Sequence, residues 1–152
     1  MKISIQQHDF DVSTELNLLR KDLPGVGGIN IFVGTVRDTH LGDEVQAMEL
    51  EHYPGMTEKA LEEIIEQAKL RWDVQNATII HRVGKLMPMD QIVFVGVASA
   101  HRGDAYAACE FMMDYLKTSA PFWKKEYTPN GSRWVDARTS DDERLKKWAL
   151  NT

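Results

Sequence analysis

A chain of 152 residues with 43% hydrophobic and 27% charged side chains can bury a core without disulfides or a structural metal, and no low-complexity tract argues for disorder. Its formal charge of -5 argues against a general nucleic-acid binder, which needs a basic face toward phosphate, while leaving room for a local basic pocket. No apolar run approaches the ~18 residues of a membrane span, the amino terminus lacks a signal-peptide stretch, and the single cysteine excludes an internal disulfide and any multi-cysteine metal site. One domain over residues 1–152, in the cytoplasm, is therefore expected.

A short strand is expected over residues 2–7, then a helix over 13–23 that Ser13 caps and "PGVGG" ends. That glycine-rich stretch has neither GxGxxG nor the phosphate-loop lysine, so it reads as a turn. The apolar run 29–36 predicts a buried strand leading into Arg37 and the polar loop "RDTHLGDE", and residues 45–53 extend as a second strand. Pro54-Gly55 breaks the chain and Thr57 caps a helix on which Leu61, Ile64, Ile65, Ala68 and Trp72 share a face. Glu58, Glu62, Glu63 and Glu66 read as its solvated side rather than as catalytic carboxylates.

Residues 78–83 and 91–100 predict two strands joined by a connection containing "GKLMPMD", the second apolar enough to lie centrally in a sheet. A helix over 103–119 buries Ala105, Ala108, Phe111, Met112, Tyr115 and Leu116, and Pro121 stops it. "TPNGS" predicts a hairpin between 125–128 and 133–137, with Asn-Gly in left-handed turn conformations, and Ser140 with Glu143 predicts a capping box for a last helix. Strands and helices do not alternate strictly, which favours an α+β fold with a mixed or antiparallel sheet.

The chemistry concentrates in "SAHRGDAYAACEFMMDYLKTSAPFWKKE". Cys109 lies in a helical, apolar setting and reads as a packed hydrophobe rather than a nucleophile. Arg102 stands at a helix start, where the dipole disfavours a cation; with His101 and free backbone N–H groups it forms a receptor for phosphate or carboxylate, unless both side chains merely reach water. Lys117 in the last turn is explained equally by capping, while Lys124 and Lys125 follow Phe122 and Trp123, where neighbouring charge and partial burial favour a nucleophile or proton shuttle. From Arg102 to Lys117 a straight helix spans about 22 Å, too far for one small ligand. Either two sites exist or two identical chains meet around shared pockets. His40, His52, His81 and His101 have no tight ligand spacing, so neither a metal nor a cofactor is expected.

Through "GTVRDTHLGDEV", "LEHYPGMTEKAL", "IIHRVGKL", "VFVGVASAHR", "DYLKTSAPFWKKE" and "RWVDAR", in that order, the chain resembles the large, catalytic subunit of molybdopterin synthase over residues 34–148. The resemblance implies an α+β fold of the α/β-hammerhead type and a homodimer at the centre of a heterotetramer. A small ubiquitin-like subunit at each end would carry a Gly-Gly thiocarboxylate and donate sulfur to cyclic pyranopterin monophosphate. Two transfers would yield the dithiolene of molybdopterin, with molybdenum added later. By motif, the resemblance implies a substrate-binding set of Thr35, Val36, Arg37, His101, Arg102, Lys117, Lys124, Lys125 and Glu126, with His101 and Arg102 supplied by the neighbouring protomer. Lys117, then Lys124, would give acid/base or covalent assistance. Met89 stands where the family often has glycine, and Ser119 where a charged residue is common. A non-catalytic module docking a ubiquitin-like tail, and a nucleotide or phosphosugar binder, are the alternatives to an enzyme.

Overall fold

Period-two apolar runs and short reversals build two four-stranded sheets and a small hairpin. In the computed structural model, which describes residues 1–135 and 139–149, the order is β1 (Lys2–Gln6), α1 (Val12–Arg20), β2 (Gly28–Thr35), β3 (Thr39–His40), β4 (Asp43–Glu44), β5 (Ala47–His52) and α2 (Met56–Arg71). Then follow β6 (Asn76–Arg82), β7 (Gly84–Leu86), β8 (Gln91–Ser99), α3 (Arg102–Ser119), β9 (Phe122–Thr128), β10 (Gly131–Val135) and α4 (Thr139–Ala149). The first sheet runs β1-β6-β8-β2 and the second β10-β9-β5-β7. Among the described residues only the β1–β6 pair is parallel, so the α+β class with a mixed sheet stands.

β8 lies between β6 and β2 and is buried from Val93 to Ser99, as its composition predicts. One face of this sheet receives α2 and α3, where Leu61, Ile65, Phe111 and Met112 pack on Ile79, Val95 and Val97. The other receives α1 through Leu19, against Ile80, Phe94 and Ala98. Each such fully buried side chain contributes roughly 1.5–3 kcal/mol. A third cluster of Val36, Met48, Leu50 and Leu86 has Ile92 of β8 against it, and so joins the second sheet to the first.

Several local expectations are corrected by hydrogen-bond geometry. Asp11, not Ser13, caps α1: its Oδ1 accepts from Thr14 N at 2.8 Å, and the helix ends at Arg20. Gly55 precedes α2, and its N–H is bonded by the Glu58 carboxylate. Thr57 is instead fully buried, its hydroxyl accepting from Tyr53 N and donating to the Pro121 carbonyl, both at 2.9 Å. The polar loop after Arg37 is the β3–β4 hairpin, turned through Leu41 (φ 53°) and Gly42 (φ 83°), and the "GKL" connection is a strand paired with β5.

In "TPNGS" the pairing of Thr128 with Gly131 leaves Pro129-Asn130 as the two-residue loop. Positive φ falls on Gly131 (113°), not on Asn130, because proline favours the first central position of an ordinary turn. The expected end of that second strand at residues 136–137 and the Ser140 side chain of the capping box lie outside the described residues. α4 docks on α3 through Trp148, whose Nε1 donates to Asp114 Oδ2 at 2.7 Å, and through Arg144, whose Nε donates to Asp114 Oδ1 at 2.8 Å.

Candidate functional site

The glycine-rich turn forms the bed for the start of α3. Gly27 N donates to the Ser99 carbonyl at 2.9 Å, and a Cβ on Gly27 would lie 2.2 Å from the Ala100 carbonyl oxygen, so only glycine permits this approach. A Cβ on Gly28 would reach within 3.4 Å of the Arg102 backbone. From the other side the Asp73 carboxylate accepts from Ala100 N, and Asp73 N donates to Asp104, each at 2.9 Å. His101 is the N-cap in extended conformation (φ -132°, ψ 151°) with no side-chain capping bond. The first-turn N–H groups, the exposed His101 ring and the exposed Arg102 guanidinium are thus presented together at one helix start.

Lys117 stands at the opposite end of α3, exposed, and lines a groove of about 480 Å³ with Asn30, Phe32, Met113 and Arg144. Lys124 is paired across strands with Leu50, on the face of the second sheet that carries Met48 and the core contact with Val36. His81, next to last in β6, is only 5% exposed. Burial, followed by the charges of Lys117, His52 and Lys124, lowers its pKa to about 4 against a partial opposing effect of its bond to the Arg82 carbonyl. The positive charges of Lys117, on α3, and Lys124, on β9, thus both act on this one buried imidazole.

Thr35 ends β2 and is exposed, whereas the Val36 side chain is buried and its backbone is fixed on both sides. Val36 N donates to the Asp90 carbonyl and Met89 N donates to the Val36 carbonyl, both at 2.9 Å. The turn supplying these bonds runs Met87 to Asp90, closed by Asp90 N to the Met87 carbonyl at 3.0 Å, with Met89 at φ 79°. Arg37 thus leaves from an anchored residue whose side chain packs with Leu50, the neighbour of Lys124.

The run Lys124–Glu126 does not act as one group, because successive strand residues face opposite ways. Lys125 lies over the Tyr127 and Trp134 rings, 5.4 and 5.6 Å from their centroids, on the face away from Lys124. Glu126 shares Lys124's face but is 2% exposed, with its Oε1 2.8 Å from His40 Nδ1 and 3.3 Å from Arg133 Nε. Arg133 also bonds Asp43 at 2.8 Å, so this carboxylate clasps the β3–β4 hairpin to the second sheet.

Within one chain, then, Thr35, Arg37, Lys117 and Lys124 belong to one end of β2 and α3, and His101 with Arg102 to the other. The sequence offers His52 and His81 as isolated histidines without ligand spacing; the signal for His81 is a histidine within an apolar strand. Among the described residues, no group of three or more His, Cys, Asp or Glu is placed to hold a metal. Cys109 is buried, its thiol pushed up to about 12 by burial, and its Sγ donates to the Val95 carbonyl at 3.7 Å, as suits a packing residue.

Residues 5–119 match the family model described as MoaE protein. The "Molybdopterin synthase catalytic subunit" of Ralstonia nicotianae is 58% identical over 150 residues, covering 99% of this chain and 85% of that protein. The protein of the same name from Haemophilus influenzae is 57% identical over 148 residues, covering 97% and 98%. A solved structure, the molybdopterin biosynthesis MoaE protein from Burkholderia ambifaria, superposes with a TM-score of 0.84 at 58% identity, covering 97% of each chain.

Proposed function

We infer that this chain, which belongs to the MoaE protein family, is the catalytic subunit of a molybdopterin synthase, a sulfurtransferase of molybdenum cofactor biosynthesis. Its substrate is cyclic pyranopterin monophosphate, and its partner is a small ubiquitin-like subunit whose carboxy-terminal Gly-Gly thiocarboxylate supplies the sulfur of the dithiolene. We read residues 1–152 as one catalytic domain working in the cytoplasm; among the described residues no helix is long and apolar enough to cross a membrane.

The observation that carries the site is the polarity shared by α3 and β2. Arg102 lies beside Gly28 at the start of both elements, and Lys117 and Thr35 lie at their far ends. β2 is also an edge strand with Phe32 42% exposed at its middle, which suits pairing with a second copy. An antiparallel two-fold contact along β2 would set His101 and Arg102 against the partner's Lys117 and Arg37, making two equivalent sites. A small subunit at each end would complete a heterotetramer.

In such a site, Arg102, His101 and the α3 N–H groups hold the cyclic phosphate, and Arg37 orients it. These donors stabilise the negative charge that develops as the phosphate ester opens. Lys117, with Lys124 beside it, moves the proton or gives covalent assistance at the reacting carbon. Glu126 and Val36 serve by holding the hairpin and the Arg37 backbone.

The test is subunit mixing, read as dithiolene formed from thiocarboxylated carrier and cyclic pterin. Lys117→Ala and Arg102→Ala should each lose on the order of 10²-fold or more in turnover. After subunit exchange an equal mixture should regain about a quarter of wild-type activity, since half the dimers are mixed and each has one intact site of two. A mixture no more active than the mean of the separate variants would reject the shared site.

A further inference from the structure

We propose that His81 is a positioning residue for the sulfur transfer, giving the Lys117–Lys124 pair an uncharged hydrogen-bond acceptor in place of a third cation; this rests on the role given to those lysines above. The imidazole is fixed in three ways. Its ring stacks on Phe122, with centroids 3.9 Å apart and planes 18° apart, two residues before Lys124. Its Nδ1 donates to the Arg82 carbonyl at 2.8 Å. Arg82 is in turn tied to the Gln7 carbonyl through Nε and Nη2 at 3.1 and 3.0 Å, and to the Gln91 carbonyl through Nη1 at 2.9 Å.

Because a carbonyl only accepts, the Nδ1 bond places the proton of the neutral ring there and leaves the electron pair on Nε2. The groups packed around it favour that neutral form. Lys117 comes from α3, Lys124 from β9, and His52 from β5, the last 3.5 Å from Glu58 of α2. β1 and β8 place Ile5 and Val93 beside it, which carry no charge. Packing alone does not explain an imidazole here: a phenyl ring would stack on Phe122 equally well without the cost of burying two polar nitrogens. A neutral acceptor among ammonium groups can receive a lysine N–H and so fix where that side chain points, whereas a protonated ring would repel it.

The experiment uses the full chain with thiocarboxylated carrier and cyclic pterin, and reads kcat, KM and the pH–rate profile. His81→Phe keeps the stack and removes the acceptor; kcat should fall about tenfold or more, with KM for either substrate within about threefold, and the profile should move along the pH axis. His81→Gln, whose amide reaches the position of Nε2, should restore most of kcat and the wild-type profile. If the Phe variant does not fold, His81→Met fills the volume without an acceptor and should behave as described for Phe. A Phe or Met variant with wild-type kcat and profile overturns the proposal, as does a loss that follows only the folded fraction with the profile unmoved. Absence of turnover in the wild-type protein overturns the underlying reading itself, and the role of His81 with it.

Discussion

Replacing Gly27 by alanine tests whether the glycine turn sets the proposed anion receptor. The new Cβ would sit 2.2 Å from the Ala100 carbonyl oxygen, and ordinary van der Waals contact begins about 1 Å farther out. A shift of that size breaks the 2.9 Å bond from Gly27 N to the Ser99 carbonyl. Overpacking costs about 1–3 kcal/mol and the lost bond about 1 more, so Tm should fall by roughly 6–12 °C. The strain falls on Ala100, directly before His101 and Arg102; a misplacement of about 1 Å there should cost on the order of 10²-fold in kcat/KM. Gly103→Ala is the control, because nothing lies within 4 Å of its would-be Cβ and alanine is the better helix former by up to about 1 kcal/mol. Differential scanning calorimetry with steady-state kinetics reads both variants. Wild-type Tm and turnover in Gly27→Ala, or destabilisation with full turnover in the folded fraction, would refute the reasoning.

Met89→Gly should raise Tm by roughly 2–4 °C, since φ of 79° costs a side-chain-bearing residue about 1 kcal/mol and the Met side chain is 88% exposed; a thermal melt checks it. His81 makes stability fall with acid: the unfolded chain takes up its proton below the ordinary 6.5 and the native chain only below about 4, so stability present above pH 6.5 is lost as pH drops toward 4. The loss attributable to this group between pH 7 and pH 4.5 is about 2 kcal/mol, read as the difference between wild type and His81→Gln in urea titrations at those two pH values. Phe32→Asp, a charge at the centre of the β2 edge, should yield a monomer by sedimentation with an unchanged circular dichroism spectrum and about tenfold or greater loss of turnover.

The long elements were legible because their periodicity survives in the fold: the α2 face, the apolar β8 and the α3 stripe fall as their spacing predicts, except that Tyr115 is only partly buried. Punctuation was less legible. Ser13 and Thr57 have capping chemistry, but Asp11 stands one residue before α1 and Thr57 is drawn inward by Pro121, 64 residues away. β7 was hidden because three residues led by glycine carry no pattern, and its partner β5 is distant in sequence. The cationic residues could be named from the chain, yet their faces could not. Nothing local says that Lys125 turns to Trp134 while Glu126 is consumed by His40 and Arg133, for these follow from strand pairing. His81 was overlooked because its meaning depends on Lys117 and Lys124 converging from other elements.

The clasp of the β3–β4 hairpin has a consequence for how quickly the proposed site would catch an anion. Arg37 rides on a short span between two fixed points, the Val36 backbone bonded to Met89 and Asp90, and the His40 ring held by Glu126. A segment so briefly tethered has little chain freedom left to surrender when it meets a ligand, so only the guanidinium stem must settle. Capture at this rim should accordingly be limited by diffusional encounter rather than by a search among loop shapes, with tolerance for anions of different size confined to what one flexible side chain can span.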